Sequence, residues 1–254
     1  MATLTITPIE GLPEIEEGMD LASIISEATR STLTPSVGAI LVVAQKVVSK
    51  AEGRSVALKS ITPGKQALTL AGEVNKDPRL VELILRESHS VIRKVPGVLI
   101  VEHNSGHILA NAGIDTSNVR QDVDSPQVLL WPRDPDDSAR RLSLSLQERL
   151  GCPVPVIIND SIGRPWRYGT VGHAIGSWGL DPLWNQVGEK DRFGNTLRVT
   201  EPATGDALAA AAALVQGEGS EGLPAVWIDG CHYIKTEGVG ADKLLRSKER
   251  DLFR

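Results

Sequence analysis

Apolar residues in this chain occur as short β-branched runs and as longer stretches with helical spacing. Residues 38–48, GAILVVAQKVV, predict a buried strand, and the apolar runs at 154–158 and 223–230 predict two more. Residues 98–115, VLIVEHNSGHILANAGID, hold two apolar or alternating stretches around an Asn-Ser-Gly turn and therefore predict a β-hairpin. The second strand of this hairpin leads to Asp115, which we expect in a loop.

Four segments show the spacing or the boundary residues of helices. Residues 76–94 begin with an Asp-Pro pair that suits an N-cap and a first helical position, and their apolar residues continue through Ile92. Residues 133–151 open with cap residues and close on a glycine, and residues 205–217 are rich in alanine. The tail from Asp242 onward predicts a charged terminal helix.

These strands and helices predict the fold class. No Pro/Ser-rich linker, low-complexity run or internal repeat interrupts them, so residues 1–254 are expected to form one α/β domain of mixed α+β character, with room for two lobes. Gly217, Gly219 and Gly222 match G-x-G-x-x-G, but they follow a predicted helix and precede a predicted strand, the reverse of a Rossmann fingerprint. Since the P-loop motif G-x-x-x-x-G-K-[ST] is also absent, we expect neither fold.

Composition narrows the classes of partner. A formal net charge of -5 with scattered lysines and arginines argues against binding to a nucleic-acid backbone. Cys152 and Cys231 are far apart and form no C-x-x-C, so they indicate neither a disulfide framework nor a zinc ribbon. The N-terminal stretch lacks the pattern of a signal peptide, and no apolar run is long enough to span a membrane. We therefore expect a cytoplasmic protein without a membrane anchor.

Residues 154–169, VPVIINDSIGRPWRYG, carry the most informative polar groups. The apolar run ends in Asp160-Ser161, whose hard oxygens suit Mg²⁺ or Mn²⁺ while nucleotide phosphates complete the coordination shell. The alternative is an Asx-turn that caps the next element. Arg164 and Arg167 favour the metal interpretation, because a guanidinium group binds phosphate or carboxylate through two parallel hydrogen bonds.

Two further acids fit the same interpretation. Asp115 lies at a predicted strand end, with Asn118 three residues later, and Glu218 lies in the glycine-rich loop. That loop is either a plain helix-to-strand turn or a loop whose small residues let backbone amides approach a phosphate. If Asp115, Asp160 and Glu218 converge on one or two metal ions, the residues alone predict an enzyme that binds metal and phosphate.

Two other motifs, a histidine pair and a glycosylation sequon, have weaker support as functional sites. His103 and His107 have a spacing that would suit zinc on a helix, but the predicted turn between them and the lack of an intervening Glu argue against a metal role. Residues 159–161 match an N-glycosylation sequon, which is without meaning in a cytosolic chain.

Six blocks of the chain together resemble one known family. These are IEGLP at 9–13, AQKVVSKAEGR at 44–54, NAGIDTSNV at 111–119, DPDDSA at 134–139, NDSIGRPWRYGTVGHAIG at 159–176 and GDALAAAAALVQGEGSEGLP at 205–224. Their order and spacing resemble those of the coenzyme F-420:L-glutamate ligases, across essentially the whole chain. The resemblance implies a two-lobed α/β fold, a homodimer and a stand-alone ligase. It also implies GTP-dependent, divalent-metal chemistry that joins the carboxylate of a lactyl-phospho-deazaflavin precursor to the amine of L-glutamate, releasing GDP and phosphate.

The resemblance also implies roles for individual residues. Asp115 and Asp160 match ligands of a first Mg²⁺ or Mn²⁺, and Ser161 and Glu218 match ligands of a second. Matches to the segments that hold GTP are Glu10, Gly11, Leu12, Pro13, Ala44, Gln45, Lys50, Asn118, Gly217, Glu218 and Gly219. We expect Asp160, Arg164 and Lys50 to contribute directly to catalysis, although the ligand of Arg164 is inferred from charge alone.

Two departures from the family pattern leave alternatives open. Asn185 stands where an acid is expected in D-x-x-G-x-x-D, and Asp229 stands where the family often has Arg. These differences allow a related amide ligase that uses another acid or amine. A GTP-binding module without catalysis is the other alternative. The number of glutamates added, including further γ-linked ones, is not determined by the sequence.

Overall fold

The computed structural model describes residues 3–32, 35–121 and 126–252. Its strands are β1 (Thr5–Pro8), β2 (Ile40–Ala44), β3 (Ser55–Ala57), β4 (Ser88–Val95), β5 (Val98–His103), β6 (Ile108–Ala110), β7 (Gln127–Leu129), β8 (Val156–Arg164), β9 (Arg167–Trp178) and β10 (Ala225–Asp229). Its α-helices are α1 (Leu21–Thr32), α2 (Gln45–Ala51), α3 (Lys65–Val74), α4 (Pro78–Arg86), α5 (Pro135–Leu150) and α6 (Thr204–Gln216). Phe253 and Arg254, the end of the predicted terminal helix, lie outside the described residues.

The central sheet has five strands in the order β1-β10-β2-β8-β9. Strands β2 and β8 are parallel, and the other neighbours are antiparallel. Because side chains alternate along a strand, Leu41 and Val43 of β2 enter one core while Ile40 and Val42 enter another. Helices α1 and α5 contribute to the first core and α6 to the second, so both faces of the sheet are buried.

Two smaller sheets complete the architecture. Strand β3 pairs with β7, and β4, β5 and β6 form a three-stranded antiparallel sheet. Helices α3 and α4 pack on that sheet around Val81, Ile84, Leu99 and Val101. The predicted mixed α/β class is confirmed, with open sheets. The G-x-G-x-x-G segment lies between α6 and β10, the helix-to-strand position that argued against a Rossmann fold.

Several predicted elements are confirmed together with their boundaries. The hairpin of residues 98–115 is formed by β5 and β6. Helix α5 begins after Asp134, whose side chain accepts from the Asp137 amide, and ends at Gly151 in the left-handed conformation, with φ of 74°. The alanine-rich segment forms α6, and the apolar run after the glycine-rich loop forms β10.

Other boundaries differ from the predictions. The run at 38–48 is a strand only to Ala44, and Gln45–Ala51 is helical. The helix expected to reach Ile92 ends at Arg86, because the β-branched residues after it pair with β5 as strand β4. The predicted terminal helix is wrong: its described part contains two short 3₁₀ turns, Ala241–Leu244 and Lys248–Arg250.

Helix α6 packs closely on β9 because Gly172 has no side chain. A Cβ at this position would overlap the backbone carbonyl of Ala209 in α6, which cannot rotate away as a flexible side chain can. We expect Gly172→Ala to lower the free energy of unfolding by about 1–3 kcal/mol, the usual effect of overpacking. Urea denaturation measures the change. Gly72→Ala is the matched control, since Gly72 lies exposed in α3 with open space around it, and it should be neutral or stabilising.

Candidate active site

A cleft of about 1330 Å³ lies at one end of the central sheet. We call it the acidic cleft; its wall includes residues 12–17, 44–47, 118–121, 159–161 and 216–220. The first and third segments follow β1 and the β5–β6 hairpin. The second and the last begin at the final residues of β2 and α6, and residues 159–161 belong to β8. The fold therefore gathers polar residues from five separate parts of the sequence around one cavity.

Asp160 lies on the wall of the cleft and is held by two hydrogen bonds. Its Oδ2 accepts from Trp131 Nε1 at 2.8 Å, and its Oδ1 accepts from the Ser161 amide at 2.9 Å. Burial, followed by the nearby negative charge of Asp115, raises the pKa of Asp160 to about 7. The predicted position at a strand end is wrong: β8 continues to Arg164, because its pairing with β9 continues past Asp160.

Asp115 faces the same region from a different loop. A pair of backbone hydrogen bonds with Leu129, each 2.9 Å long, fixes its main chain. Its Oδ2 accepts from Gln45 Nε2 at 2.7 Å and lies 3.0 Å from Lys46 Nζ. Burial raises the pKa of Asp115, and the charge of Lys46 opposes that rise. The sequence prediction of an acid in a loop after the hairpin therefore matches the structure.

The glycine-rich loop connects to both acidic segments. Ser161 Oγ donates to Glu218 Oε2 at 2.9 Å, and Asn118 Nδ2 donates to the Gly219 carbonyl at 3.1 Å. Gly217 has φ of 72°, which an L-residue with a side chain adopts only at a cost, and it turns the chain sharply at the end of α6. These contacts place the loop against β8 and against the segment that follows Asp115.

Most of the predicted nucleotide-binding residues also line the cleft. They are Leu12, Pro13, Ala44, Gln45, Lys50, Asn118, Gly217, Glu218 and Gly219. Lys50 Nζ lies 2.5 Å from Glu14 Oε1, and its side chain is only 16% exposed. This lysine therefore points along the wall of the cleft, toward the segment after β1, and pairs with Glu14 there.

Four predicted site residues are not among those that line the cleft. One of them is Asp115, which contacts the lining residues Gln45 and Lys46. Glu10 and Gly11 are exposed and directly precede the lining residue Leu12. Arg164 lies near the tip of the β8–β9 hairpin, where its Nη2 donates to the Tyr168 carbonyl at 3.3 Å. The pairing of β8 with β9 carries the arginine away from Asp160, so the structure does not bring it to the acids.

Several cleft residues were missed by reasoning from sequence. Lys46 was assigned to a strand, although the change from apolar to polar residues after Ala44 could have indicated a boundary. Asn159 donates to Gln216 Oε1 at 2.7 Å, and Gln216 donates to the Pro224 carbonyl at 3.2 Å, so this buried pair ties β8 to both ends of the loop. No local signal marked these two residues.

His103 and His107 are joined through the hydroxyl of Ser105, which lies between their rings. Ser105 Oγ lies 2.7 Å from His103 Nδ1 and 3.0 Å from His107 Nδ1, and both rings pack on Trp131. Burial lowers the pKa of each histidine to about 4. The pair therefore supports the buried indole that holds Asp160.

The lowered pKa values of His103 and His107 predict a contribution to folding stability that is lost in acid. An unfolded histidine has a pKa near 6.5, so between about pH 6.5 and 4 the unfolded chain binds more protons than the folded chain. The contribution of the two histidines to stability is fully present above this window and falls as the pH is lowered through it, by about 3 kcal/mol for His103. The raised pKa of Asp160 contributes in the opposite sense. Urea midpoints at a series of pH values measure the slope.

Replacing His103 and His107 together by Gln should remove their contribution to the pH dependence of stability, because neither residue can then take up a proton. His89→Gln is the control, since His89 is exposed in β4, and it should leave the slope unchanged. An equal slope in wild-type protein and the double variant would contradict the prediction.

The two departures noted in the sequence have local structural roles. Asn185 Oδ1 accepts from the Val187 amide at 2.8 Å, and Asp191 accepts from the amides of Phe193 and Asn195 at 2.8 Å each. Asp229, at the end of β10, accepts from the Ser36 amide at 3.2 Å. None of these residues lines the acidic cleft.

Comparison with known proteins shows the family of this chain. The sequence profile described as F420-0:gamma-glutamyl ligase matches residues 11–230, which include every acid of the cleft. The chain belongs to this family. The resemblance drawn from the six sequence blocks is therefore confirmed.

Individual relatives of the F420-0:gamma-glutamyl ligase family match over nearly their full lengths. The coenzyme F420:L-glutamate ligase of Methanothermobacter thermautotrophicus is 42% identical over 99% of each chain. That of Methanopyrus kandleri is 42% identical over 100% of this chain and 99% of its own. The Archaeoglobus fulgidus protein of the same name is 40% identical, over 98% of this chain and 96% of its own. Among the described residues, no helix is long and apolar enough to cross a membrane.

Proposed function

We propose that this protein is a GTP-dependent ligase that joins the carboxylate of a lactyl-phospho-deazaflavin precursor of coenzyme F420 to the amine of L-glutamate. Membership of the F420-0:gamma-glutamyl ligase family supports the overall reaction. The observation that carries the proposal is that acids and a hydroxyl from three distant segments meet on and beside the wall of one cleft. Asp115 and Asp160 interact electrostatically, and Ser161 binds Glu218 directly.

The chemistry of these donors fits divalent metal ions. Carboxylate and hydroxyl oxygens are the hard ligands that Mg²⁺ and Mn²⁺ prefer. The described residues contain no group of three or more His, Cys, Asp or Glu side chains already arranged to hold a metal. However, burial and then the negative charge of Asp115 raise the pKa of Asp160, and a bound cation would relieve the repulsion between the two carboxylates. We propose that Asp115 and Asp160 hold one ion and that Ser161 and Glu218 hold a second.

When bound, such ions would neutralise phosphate charge and favour phosphoryl transfer. The glycine-rich loop supplies backbone amides that can approach phosphates, and Asn118 holds this loop through the Gly219 carbonyl. Lys50 supplies a fixed positive charge on the same wall of the cleft. The lining residues Leu12 and Pro13 supply apolar surface for the rest of the nucleotide.

The reaction we propose proceeds in two balanced steps. A carboxylate oxygen of the precursor attacks the γ-phosphorus of GTP, the bond to the β-phosphate oxygen breaks, and GDP leaves. The glutamate amine then attacks the carbonyl carbon of the acyl phosphate, loses a proton, and inorganic phosphate leaves with the electron pair of the broken C–O bond. Because phosphoryl transfer needs little covalent chemistry from the protein, positioning and charge neutralisation supply most of the rate enhancement.

Other parts of the proposal rest on the sequence alone: the homodimer and the number of glutamates on the family resemblance, and the location on the composition and the N-terminal pattern. We propose a homodimer, a cytoplasmic location and the possibility of further γ-linked additions of glutamate.

The function is tested by incubating purified protein with GTP, Mg²⁺ or Mn²⁺, L-glutamate and the deazaflavin precursor. We expect GDP release and a mass gain of one or more glutamyl units in the flavin, both dependent on GTP and metal. GDP release without a glutamylated flavin would indicate a ligase with a different acid or amine. Nucleotide binding with no product under either metal would instead support a GTP-binding module that lacks catalysis.

A further inference from the structure

Lys46 is a cation placed directly among the acids of the cleft. It lies in the first turn of α2, and its Nζ is 3.0 Å from Asp115 Oδ2. The side chains are 25% and 23% exposed, so water screens the pair only in part. Gln45, the preceding residue, donates to the same carboxylate oxygen. Two adjacent side chains of one helix therefore hold Asp115 from the same side.

Lys46 differs from the other lysines and arginines near the cleft in the acid with which it pairs. Among the residues that the structure describes, it is the one basic group within ion-pair distance of Asp115, Asp160 or Glu218. Its charge also acts on Asp160. Lys50, one helical turn later, is paired with Glu14 instead. Among the described residues, Lys46 is therefore the cation of the cleft wall that already pairs with an acid of the proposed metal sites.

We infer that Lys46 is an internal counter-ion that occupies the side of Asp115 until a divalent cation binds, and that its ammonium group then moves to the nucleotide phosphates. This inference rests on the proposed function. An ammonium group and a dication at the same carboxylate repel each other, so binding of the ion favours departure of the lysine. The flexible four-carbon side chain allows such a movement without a change in the backbone. Metal binding and nucleotide binding are thereby coupled through one side chain.

The inference predicts opposite changes in two affinities when the charge is removed. Lys46→Met keeps most of the side-chain volume but has no ammonium group. In the absence of nucleotide, Mn²⁺ should bind this variant about tenfold more tightly than wild-type protein, because no internal cation competes. At saturating Mn²⁺, a non-hydrolysable GTP analogue should bind about tenfold more weakly, because a phosphate contact is lost. Calorimetry measures both constants without relying on turnover.

Matched variants separate this role from a general effect of charge. Lys243→Met also removes the cation of a lysine–aspartate pair, but that pair lies outside the acidic cleft, so its Mn²⁺ affinity should stay within about threefold of wild type. Lys46→Arg keeps the charge and should restore most of the wild-type values. In an Asp115→Asn background, Lys46→Met should no longer strengthen Mn²⁺ binding, since the two residues act on one site.

The outcomes distinguish failure of this inference from failure of the proposed function. If wild-type protein binds Mn²⁺ and Lys46→Met binds it equally or more weakly, the counter-ion role is overturned while the metal site stands. If neither protein binds Mn²⁺, both the metal assignment and the counter-ion role are overturned. Tighter Mn²⁺ binding with weaker binding of the GTP analogue supports the inference.

Discussion

Replacing Asp160 by asparagine is expected to reduce ligase turnover by about 10²–10³-fold or more, the usual effect of removing one electrostatic element from a catalytic site. The substitution preserves the shape of the side chain but removes the carboxylate that interacts electrostatically with Asp115. An amide is a weaker ligand for a divalent ion than a carboxylate, so metal binding should be weakened as well. Steady-state turnover with Mg²⁺ or Mn²⁺ and direct Mn²⁺ titration measure the two effects.

The control for this substitution is Asp181→Asn. Asp181 is also a largely buried carboxylate, with 17% of its side chain exposed, but it pairs with Lys243 away from the acidic cleft. We expect this variant to keep turnover near that of wild-type protein, with at most a small loss of stability. Wild-type turnover in Asp160→Asn, measured on folded protein, would refute the assignment of Asp160 to the metal and phosphate site.

Trp131→Ala is expected to lower the free energy of unfolding by about 3–5 kcal/mol, the usual cost of removing a buried aromatic ring. Trp131 has 0% of its surface exposed and packs against both His103 and His107. The same ring donates to Asp160, so its removal also leaves a buried carboxylate with one fewer donor. Chemical denaturation followed by circular dichroism measures the change.

Two variants show whether packing or the hydrogen bond causes the loss. Trp131→Phe keeps an aromatic ring but lacks the N–H group. Its loss of stability should be smaller than that of Trp131→Ala, although Asp160 still loses the hydrogen bond from the indole. Phe193→Ala removes a ring that is 90% exposed and should change stability by no more than about 0.5 kcal/mol. A change in Trp131→Ala as small as in Phe193→Ala would show that the indole is not a structural support.

Local sequence signals predicted the long helices well because their boundary residues act within a few positions. The Asp134 cap and the left-handed Gly151 define α5 through contacts that α5 itself provides. Residues 76–94 were predicted less well, since the end of α4 depends on the pairing of β4 with β5. Helical spacing of apolar residues in one segment contains no information about a strand, later in the chain, with which that segment pairs.

The candidate site shows the same division between local and tertiary information. Hard-oxygen residues next to apolar runs indicated Asp115, Asp160 and Glu218 as acids of one site, and the family resemblance assigned them to metals. Arg164 was grouped with them because it is near Asp160 in sequence. The β8–β9 hairpin separates the two, because successive residues of an extended strand move about 3.3 Å along it.

The sequence by itself determined the α/β class, the family and the chemical types of the cleft residues, because these depend on composition, periodicity and motif order. The tertiary structure decided which of those residues meet. It placed Lys46 against Asp115, set Trp131 beneath Asp160 and joined Ser161 to Glu218 across 57 positions of the chain. Such contacts arise from the pairing of distant strands and the packing of helices on both sheet faces, and no local pattern of residues specifies them.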